Sequence, residues 1–132
     1  MIRRLAYVSR PRTNLPATEI PRIIVAARAN NARYGISGIL VYTGTDFAQL
    51  IEGGPPAVAT LWQRIGTDDR HVDMTLLLDE HDTTPWFPDW RVGYLSDRGL
   101  PDRFAEWRAR GRTLPDAERI TLRRLLAAAD AY

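Results

Sequence analysis

Strand-like and helix-like stretches alternate in the order βαββαββ over residues 1–96 of this 132-residue chain, which predicts an α+β sandwich. In the strand-like stretches, side chains of one character recur at every second position. In the helix-like stretches, apolar residues recur three or four positions apart. This order is typical of a ferredoxin-like fold, in which a five-stranded mixed sheet carries two helices on one face.

The first predicted strand covers residues 2–9. Leu5, Tyr7 and Ser9 share one of its faces, because successive side chains of a strand point to opposite sides of the sheet. Two prolines and an asparagine within residues 10–17 then indicate a loop. A strand tyrosine is most often an ordinary half-buried side chain, so Tyr7 by itself indicates no function.

The first predicted helix covers about residues 19–31, with Thr18 as its N-cap. Its apolar stripe consists of Ile20, Ile23, Ile24 and Ala27. Continuing the stripe by four positions reaches Asn31 at the end of the helix. On spacing alone, a capping asparagine is favoured over an amide that faces the core.

A predicted β-hairpin follows, with strands over residues 35–42 and 46–53. In its second strand, Gln49 lies between Phe47 and Ile51 on the face that these apolar residues mark as buried. A buried amide without partners costs about 1–3 kcal/mol. We therefore expect Gln49 to bridge one hydrogen-bond donor and one acceptor.

Two glycines and two prolines at residues 53–56 predict the start of a second helix. Its buried stripe consists of Val58, Leu61, Trp62 and Ile65, and Arg64 beside the stripe is expected to be solvated. Strands are predicted over residues 72–78 and 87–94. In the latter, Trp90, Val92 and Tyr94 share one face.

Residues 97–132 predict two further helices that begin near Asp97 and Asp116. Their apolar stripes need a surface to cover, and the second sheet face provides one. We therefore expect a domain over residues 1–96 and a helical extension over residues 97–132 that packs on it.

The composition excludes several classes of site. The chain has no cysteine, which excludes disulfides, thiolate nucleophiles and cysteine-bound zinc, and no other metal-binding spacing is present. Its 18 basic residues are all arginine, but the net charge is only +2, so direct nucleic-acid binding is not expected. No signal peptide and no membrane span is predicted, which favours a cytoplasmic protein.

The predicted fold brings three polar side chains together. The first and third strands are neighbours at the centre of a ferredoxin-like sheet, so Tyr7 and Gln49 lie side by side under the two helices. Asn31 approaches from the first helix, and isoleucines wall the space. A phenol and two amides in such a pocket favour a flat heterocycle with carbonyl and N–H edges.

Five motifs in order resemble the BLUF family of blue-light sensors that use FAD. They are Tyr7-Val8-Ser9, Asn30-Asn31 followed by Gly35-Ile36-Ser37-Gly38, Phe47-Ala48-Gln49-Leu50-Ile51-Glu52-Gly53, Asp68-Asp69-Arg70-His71 and Phe87-Pro88-Asp89-Trp90. Each motif alone is weak, but their order and spacing over residues 2–95 are specific. The extension resembles that of the family's short members.

The resemblance implies a noncovalent FAD, with FMN as an alternative, and the absence of cysteine agrees with a sensor that forms no flavin adduct. It implies that Tyr7 donates an electron and a proton to the excited flavin. It implies that Gln49 relays between Tyr7 and the flavin. The remaining residues implied in cofactor binding are Asn30, Asn31, Ile23, Ile24, Asp68, Arg70 and His71. A purely structural role for His71 stays open.

The resemblance also implies that Trp90 belongs to the photoactive and signal-coupling strand, although core packing alone is an open alternative. Two residues later the family usually has methionine, and this chain has Val92. We expect Val92 to lie near Gln49, where valine lacks the flexible thioether of methionine. The departure concerns recovery and signal coupling rather than flavin binding.

The favoured function is a blue-light photoreceptor, not an enzyme, that signals to an unknown protein partner and forms a homo-oligomer. The alternative is a light-insensitive ferredoxin-like module for ligand binding or interaction. A small hydrolase is a poor third. Glu52 with Asp68 or His71 could form an acid–base pair, but nothing in the sequence places them together.

Overall fold

Six strands and four helices make up the part of the chain that the computed structural model describes, residues 1–95 and 99–131. The strands are β1 (Ile2–Pro11), β2 (Ser37–Tyr42), β3 (Phe47–Gly53), β4 (His71–Asp82), β5 (Trp90–Tyr94) and β6 (Asp130–Ala131). The helices are α1 (Glu19–Tyr34), α2 (Pro55–Thr67), α3 (Leu100–Arg110) and α4 (Asp116–Ala127). The predicted α+β order is confirmed.

The strands form one mixed sheet in the order β4-β1-β3-β2-β5-β6. β1 runs antiparallel to both β3 and β4, and β2 runs antiparallel to β3 and parallel to β5. The five predicted strands form the body of the sheet. The two-residue β6, which was not predicted, pairs with the outer side of β5.

Each face of the sheet buries its own apolar cluster. On the face that α1 and α2 cover, Leu5 and Ile51 of the strands pack with Val58 and Leu61 of α2. Alternate residues of the same strands face α3 and α4, where the cluster includes Ala6, Val8, Leu50, Phe104, Trp107, Leu122 and Leu126. Burying each large apolar side chain contributes about 1.5–3 kcal/mol, so the extension is part of the folded core.

The end of α1 corrects the interpretation of Asn31 as a capping residue. The helix continues to Tyr34 and ends at Gly35, whose φ of 66° lies in the left-handed region that glycine adopts readily. Asn31 therefore lies inside the helix and is fully buried. At the other end, Thr18 is the N-cap residue but makes no side-chain cap hydrogen bond.

The extension contains two helices within the described residues, α3 and α4, as predicted. α3 starts at Leu100, and the predicted start at Asp97 lies outside the described residues. α4 starts at Asp116 as predicted. No helix within the described residues has the length and apolar character needed to cross a membrane.

A buried ionic cluster under the extension was not predicted. Arg4 is fully buried and donates to Glu52 at 2.7 Å, to Glu80, to Asp82 at 3.1 Å and to the carbonyl of Thr84 at 2.9 Å. Glu52 is thereby committed to the side of the sheet opposite Tyr7 and Gln49. The acid–base pairing of Glu52 with Asp68 or His71 is wrong for this reason.

Candidate functional site

A cavity opens between the sheet, α1 and α2, with about 630 Å³ of empty space including its mouth. Strand residues form its floor and helix residues its walls. The lining residues are Tyr7, Ile23, Ala26, Ala27, Asn30, Asn31, Leu40, Phe47, Gln49, Leu61, Arg64, Ile65, Asp68, Arg70 and His71.

Tyr7 and Gln49 form a hydrogen-bonded pair on the cavity floor. They lie directly opposite each other in the β1–β3 register, and the Tyr7 hydroxyl donates to Oε1 of Gln49. Burial raises the pKa of the Tyr7 phenol well above its ordinary value, and the negative charge of Asp68 raises it further. Tyr7 is therefore a neutral phenol that can donate a hydrogen.

The Gln49 carboxamide uses its acceptor oxygen but not its donor nitrogen within the described chain. Among the described residues, its partner is the Tyr7 hydroxyl, and the side chain is 3% exposed. The amide nitrogen is left for a group in the cavity. Gln49 is predicted from the sequence to bridge a donor and an acceptor, and the Tyr7 hydroxyl is the donor.

Asn31 reaches the cavity from α1 and is 0% exposed. Neither its Oδ1 nor its Nδ2 has a hydrogen-bond partner among residues 1–95 and 99–131. Buried polar atoms of folded proteins are nearly always partnered, and an unsatisfied buried polar group costs about 1–3 kcal/mol. An adjacent donor and acceptor that face a cavity match a ligand edge with a carbonyl beside an N–H.

Asp68 and Arg70 form a fork at one side of the cavity. Arg70 Nη2 donates to Asp68 Oδ2 at 2.7 Å and its Nε donates to Oδ1 at 3.0 Å. The hydrogen bond from Arg70 holds the pKa of the Asp68 carboxyl below its ordinary value, against the opposing effect of partial burial. The cavity lining therefore includes a carboxylate whose orientation Arg70 fixes.

His71 lies beside Tyr7, with ring centroids 6.2 Å apart and nearly perpendicular ring planes. Its Nδ1 lies 3.0 Å from the Ser9 hydroxyl and its Nε2 lies 2.8 Å from the carbonyl oxygen of Ile65. Because a carbonyl only accepts, Nε2 carries a proton. Both ring nitrogens are engaged within the protein, and Trp62 contacts the other side of Tyr7 at 5.4 Å.

Of the described residues around the cavity, Asn30 and Ile23 line it and Ile24 does not. Trp90 and Val92 also lie outside the lining set. Val92 is opposite Leu40 in the parallel β2–β5 register, and Leu40 is in turn opposite Gln49. Strand β2 therefore separates Val92 from Gln49, so Val92 lies farther from Gln49 than predicted from the sequence.

Trp90 lies opposite Gly38, which is two residues before Leu40 on β2. Its indole nitrogen is buried without a hydrogen-bond partner in the described part of the chain. Gly38 has a φ of 139°, and an added Cβ would lie 1.9 Å from the carbonyl oxygen of Leu50. Only glycine fits at that position, which explains one glycine of the motif.

Sequence reasoning missed Leu40, Phe47 and Arg64 as lining residues. Leu40 could have been found from the register of the hairpin, and Phe47 from its position two residues before Gln49 on the same face. Arg64 is exposed, as expected, yet lines the cavity where its guanidinium lies 5.1 Å from the centre of the Tyr34 ring. No periodic signal in the sequence indicates that position.

The family model for sensors of blue light using FAD, BLUF, matches residues 2–93. Two curated relatives each match more than half of this chain. The blue light- and temperature-regulated antirepressor BluF of Escherichia coli K12 is 31% identical over 81 residues, which is 61% of this chain and 20% of that protein. The photoactivated adenylate cyclase subunit beta of Euglena gracilis is 34% identical over 71 residues, or 54% of this chain and 8% of that protein.

Among solved structures, the dark state of the BLUF protein BlrB is 34% identical and superposes with a TM-score of 0.72. That match covers 96% of each chain, so it includes the region of the helical extension. By contrast, this chain matches only 20% and 8% of the lengths of the two curated relatives.

Proposed function

This chain belongs to the BLUF family of blue-light sensors that use FAD, and from that premise we propose how its own residues hold the flavin and respond to light. The isoalloxazine ring occupies the cavity between α1, α2 and the sheet. Tyr7, Gln49 and Asn31 are its polar contacts. Ile23 and Asn30 contribute to the wall, and the Asp68–Arg70 fork borders the ring.

The observation that carries the proposal is the Asn31 carboxamide. Its donor and its acceptor are both buried, unpartnered in the described chain and directed at the cavity beside the Tyr7–Gln49 pair. An apolar ligand would leave this cost in place. A flavin presents a carbonyl next to an N–H, which is the pattern that satisfies both atoms of one carboxamide.

Bound there, the flavin supplies blue-light absorption and, when excited, a strong electron acceptor. Tyr7 is poised as a donor because its phenol is neutral and hydrogen-bonded to Gln49. Gln49 is the element that keeps the signal. Its carboxamide can rotate or tautomerise, and either change alters which group faces Tyr7 and which faces the ligand.

His71 has a different role from the ligand contact that the resemblance implies. Both of its ring nitrogens are already engaged, so a hydrogen bond to the flavin would require breaking one of those contacts. We propose that His71 packs beside Tyr7 and borders the ring without bonding to it. Coupling of the signal through Trp90 and Val92 stays a prediction.

The output passes to a protein partner. The relatives include an antirepressor and subunits of adenylate cyclases, and the matched region is a minor part of each. In this chain α3 and α4 cover the sheet face opposite the cavity, and we propose that the signal leaves through them. We propose that the chain is not itself an enzyme, that it forms a homo-oligomer and that it does not bind nucleic acid; a cytoplasmic location stays a prediction.

Reconstitution with FAD tests the proposal. The purified protein should hold about one noncovalent FAD per chain, and blue light should shift its absorption reversibly to longer wavelength. Replacing Gln49 with leucine should leave binding nearly intact and abolish the shift. A protein that binds FAD but shows no shift would favour the light-insensitive module, and a protein that takes up no FAD would contradict the site.

A further inference from the structure

We propose that Arg108, on the helical extension, is a positioning residue for the cavity on the other side of the sheet. It holds a β-bulge between β1 and β4 and, through Ser9, fixes the ring of His71 beside Tyr7. The geometry involves no ligand, and only the effect on light recovery rests on the proposed function.

The bulge interrupts the β1–β4 ladder next to the cavity. Val8 pairs with Thr75 and Arg10 pairs with Val72, so β4 holds one residue more than β1 over this interval. Asp73, within the extra segment, has a φ of 54°, which is uncommon for a residue other than glycine. Bulges beside functional sites redirect side chains, and this one lies two residues from His71.

Arg108 occupies the interrupted stretch of the ladder from the side of α3. Its Nη2 donates to the carbonyl oxygen of Ser9 at 3.2 Å, and its Nε donates to that of Asp73 at 3.3 Å. One guanidinium therefore binds both strands where their regular pairing is broken. Backbone carbonyls that leave a ladder need such partners, because burying them unpaired is costly.

A buried carboxylate holds Arg108 in this position. Nη2 of Arg108 also lies 2.6 Å from Oδ1 of Asp46, whose side chain is almost fully buried. The Thr45 hydroxyl donates to the other oxygen of Asp46 at 2.6 Å, and Arg10 lies 3.6 Å away. The Nη1 atom of Arg108 is buried without a hydrogen-bond partner in the described chain. The ion pair with Asp46 offsets the cost of burying it.

Ser9 connects the two faces of the sheet because it contributes different atoms to each. Its carbonyl accepts from Arg108, while its hydroxyl lies 3.0 Å from Nδ1 of His71. The Ile65 carbonyl requires the proton on Nε2, so in the neutral ring Nδ1 accepts from the Ser9 hydroxyl. The two contacts thus fix one tautomer and one orientation of the His71 ring, which lies 6.2 Å from the Tyr7 ring centre at an interplanar angle of 64°.

Losing Arg108 should release this arrangement in a defined way. The bulge would lose two hydrogen bonds. The paired ends of β1 and β4, which carry Ser9 and His71, would then be free to shift in register. The Ser9 hydroxyl would then no longer donate to Nδ1, while the Ile65 carbonyl would still accept from Nε2. Exposed arginines elsewhere on α3 have no such connection and should have no such effect.

Nitrogen NMR of the histidine rings in the flavin-free, full-length protein tests the proposal. His81, the second histidine, is removed by His81→Gln so that the signals belong to His71. We expect two well-separated ring nitrogen shifts, as for one fixed tautomer. Arg108→Met and Ser9→Ala should each move the Nδ1 shift downfield, because Nδ1 loses its hydrogen-bond donor, while the Nε2 shift changes little. Arg103→Met on the same helix should leave both shifts unchanged.

Unchanged His71 shifts in a folded Arg108→Met protein would overturn the proposal. If that variant does not fold, exchange of the arginine Nε–H protons decides in the His81→Gln protein. The Nε–H of Arg108 should exchange at least about tenfold more slowly than that of exposed Arg103, since its hydrogen bond must open first. Equal exchange rates would overturn the proposal as well.

The light response separates this inference from the proposed function. In FAD-loaded protein, Arg108→Met should change the dark-recovery rate and Arg103→Met should not. Absence of FAD binding together with the expected His71 shifts would contradict the proposed function and leave the positioning role of Arg108 standing. Normal FAD binding and a normal light response, together with His71 shifts that Arg108→Met leaves unchanged, would support the proposed function and contradict the positioning role of Arg108.

Discussion

Gln49 and Glu52 lie three residues apart on β3, on opposite faces of the sheet, and both are buried polar side chains. The oxygens of Glu52 accept from Arg4 at 2.7 Å and from the backbone N–H groups of residues 86 and 87 at 2.8 and 2.7 Å. Gln49 has one described partner, Tyr7. One strand thus carries a completed polar contact and an incomplete one.

The difference shows which polar groups serve the fold and which serve a ligand. On the side of the extension, a buried charge is matched by charges and backbone donors, and Arg4 also lies 4.1 Å above the ring of Trp86. On the cavity side, the amides of Gln49 and Asn31 keep unused capacity. An unused buried group is a cost in the free protein, and a ligand that satisfies it recovers that cost on binding.

Removing Arg4 should produce the largest effect on stability. Arg4→Met leaves Glu52 as a buried carboxylate without its charged partner, which costs about 3–5 kcal/mol of unfolding free energy. Urea denaturation measures the change. The control is Arg3→Met, because the Arg3–Asp79 pair is partly exposed and is worth at most about 1 kcal/mol. Equal losses in the two variants would show that the buried cluster is not a structural unit.

Replacing Asn31 should have the opposite sign in the free protein. Asn31→Leu keeps the volume and removes two orphaned polar atoms, so the flavin-free protein should gain about 1–3 kcal/mol. FAD affinity should fall by roughly 5- to 100-fold, because the same atoms no longer contact the ligand. Thermal unfolding and flavin titration measure the two effects. A flavin-free variant less stable than wild type would contradict the interpretation of Asn31.

Asp68 should contribute a smaller, pH-dependent amount. Its folded pKa lies below the ordinary 3.8 because of the hydrogen bond from Arg70, so its contribution is present above pH 4 and is lost as the pH falls through the lowered folded value. Partial exposure limits the contribution to about 1 kcal/mol. The stability difference between wild type and Asp68→Asn should be constant from pH 7 to pH 5 and should shrink below pH 4. A difference that grows in acid would have the wrong sign.

The smallest effect should come from Val92→Met. Leu40 separates Val92 from Gln49, so a methionine sulfur reaches the amide poorly. A contact at the low end for sulfur, about 0.3 kcal/mol, changes a rate by less than twofold. Dark recovery after a blue pulse measures it. A change of tenfold would show that the side chain at position 92 reaches the switch across the intervening strand.

The alternation within each strand was sufficient to predict that Tyr7 and Gln49 face the same side. Side-chain direction in a strand is a local property with a period of two, and it needs no knowledge of the rest of the chain. The pairing of the two strands then followed from the order of elements. The same reasoning located the second apolar face, which α3 and α4 cover.

Asn31 shows where local reasoning stops. Its spacing was compatible with a cap or with a core position, and the outcome depended on where α1 ends. Gly35 ends the helix four residues later, and packing of α1 on the sheet buries the amide. Helix ends depend on capping geometry and tertiary contacts together, which a periodic pattern does not contain.

The sequence by itself determined the order of elements, the face of each strand residue and, by resemblance, the family. Only the tertiary structure decided which buried polar groups are partnered. Arg4 meets Glu80, Ser9 meets Arg108 and His71 meets Ser9, over separations of 76, 99 and 62 residues. Side-chain periodicity is fixed by neighbours along the chain, whereas a hydrogen bond across the fold exists only after sheet register and helix packing bring its two atoms together.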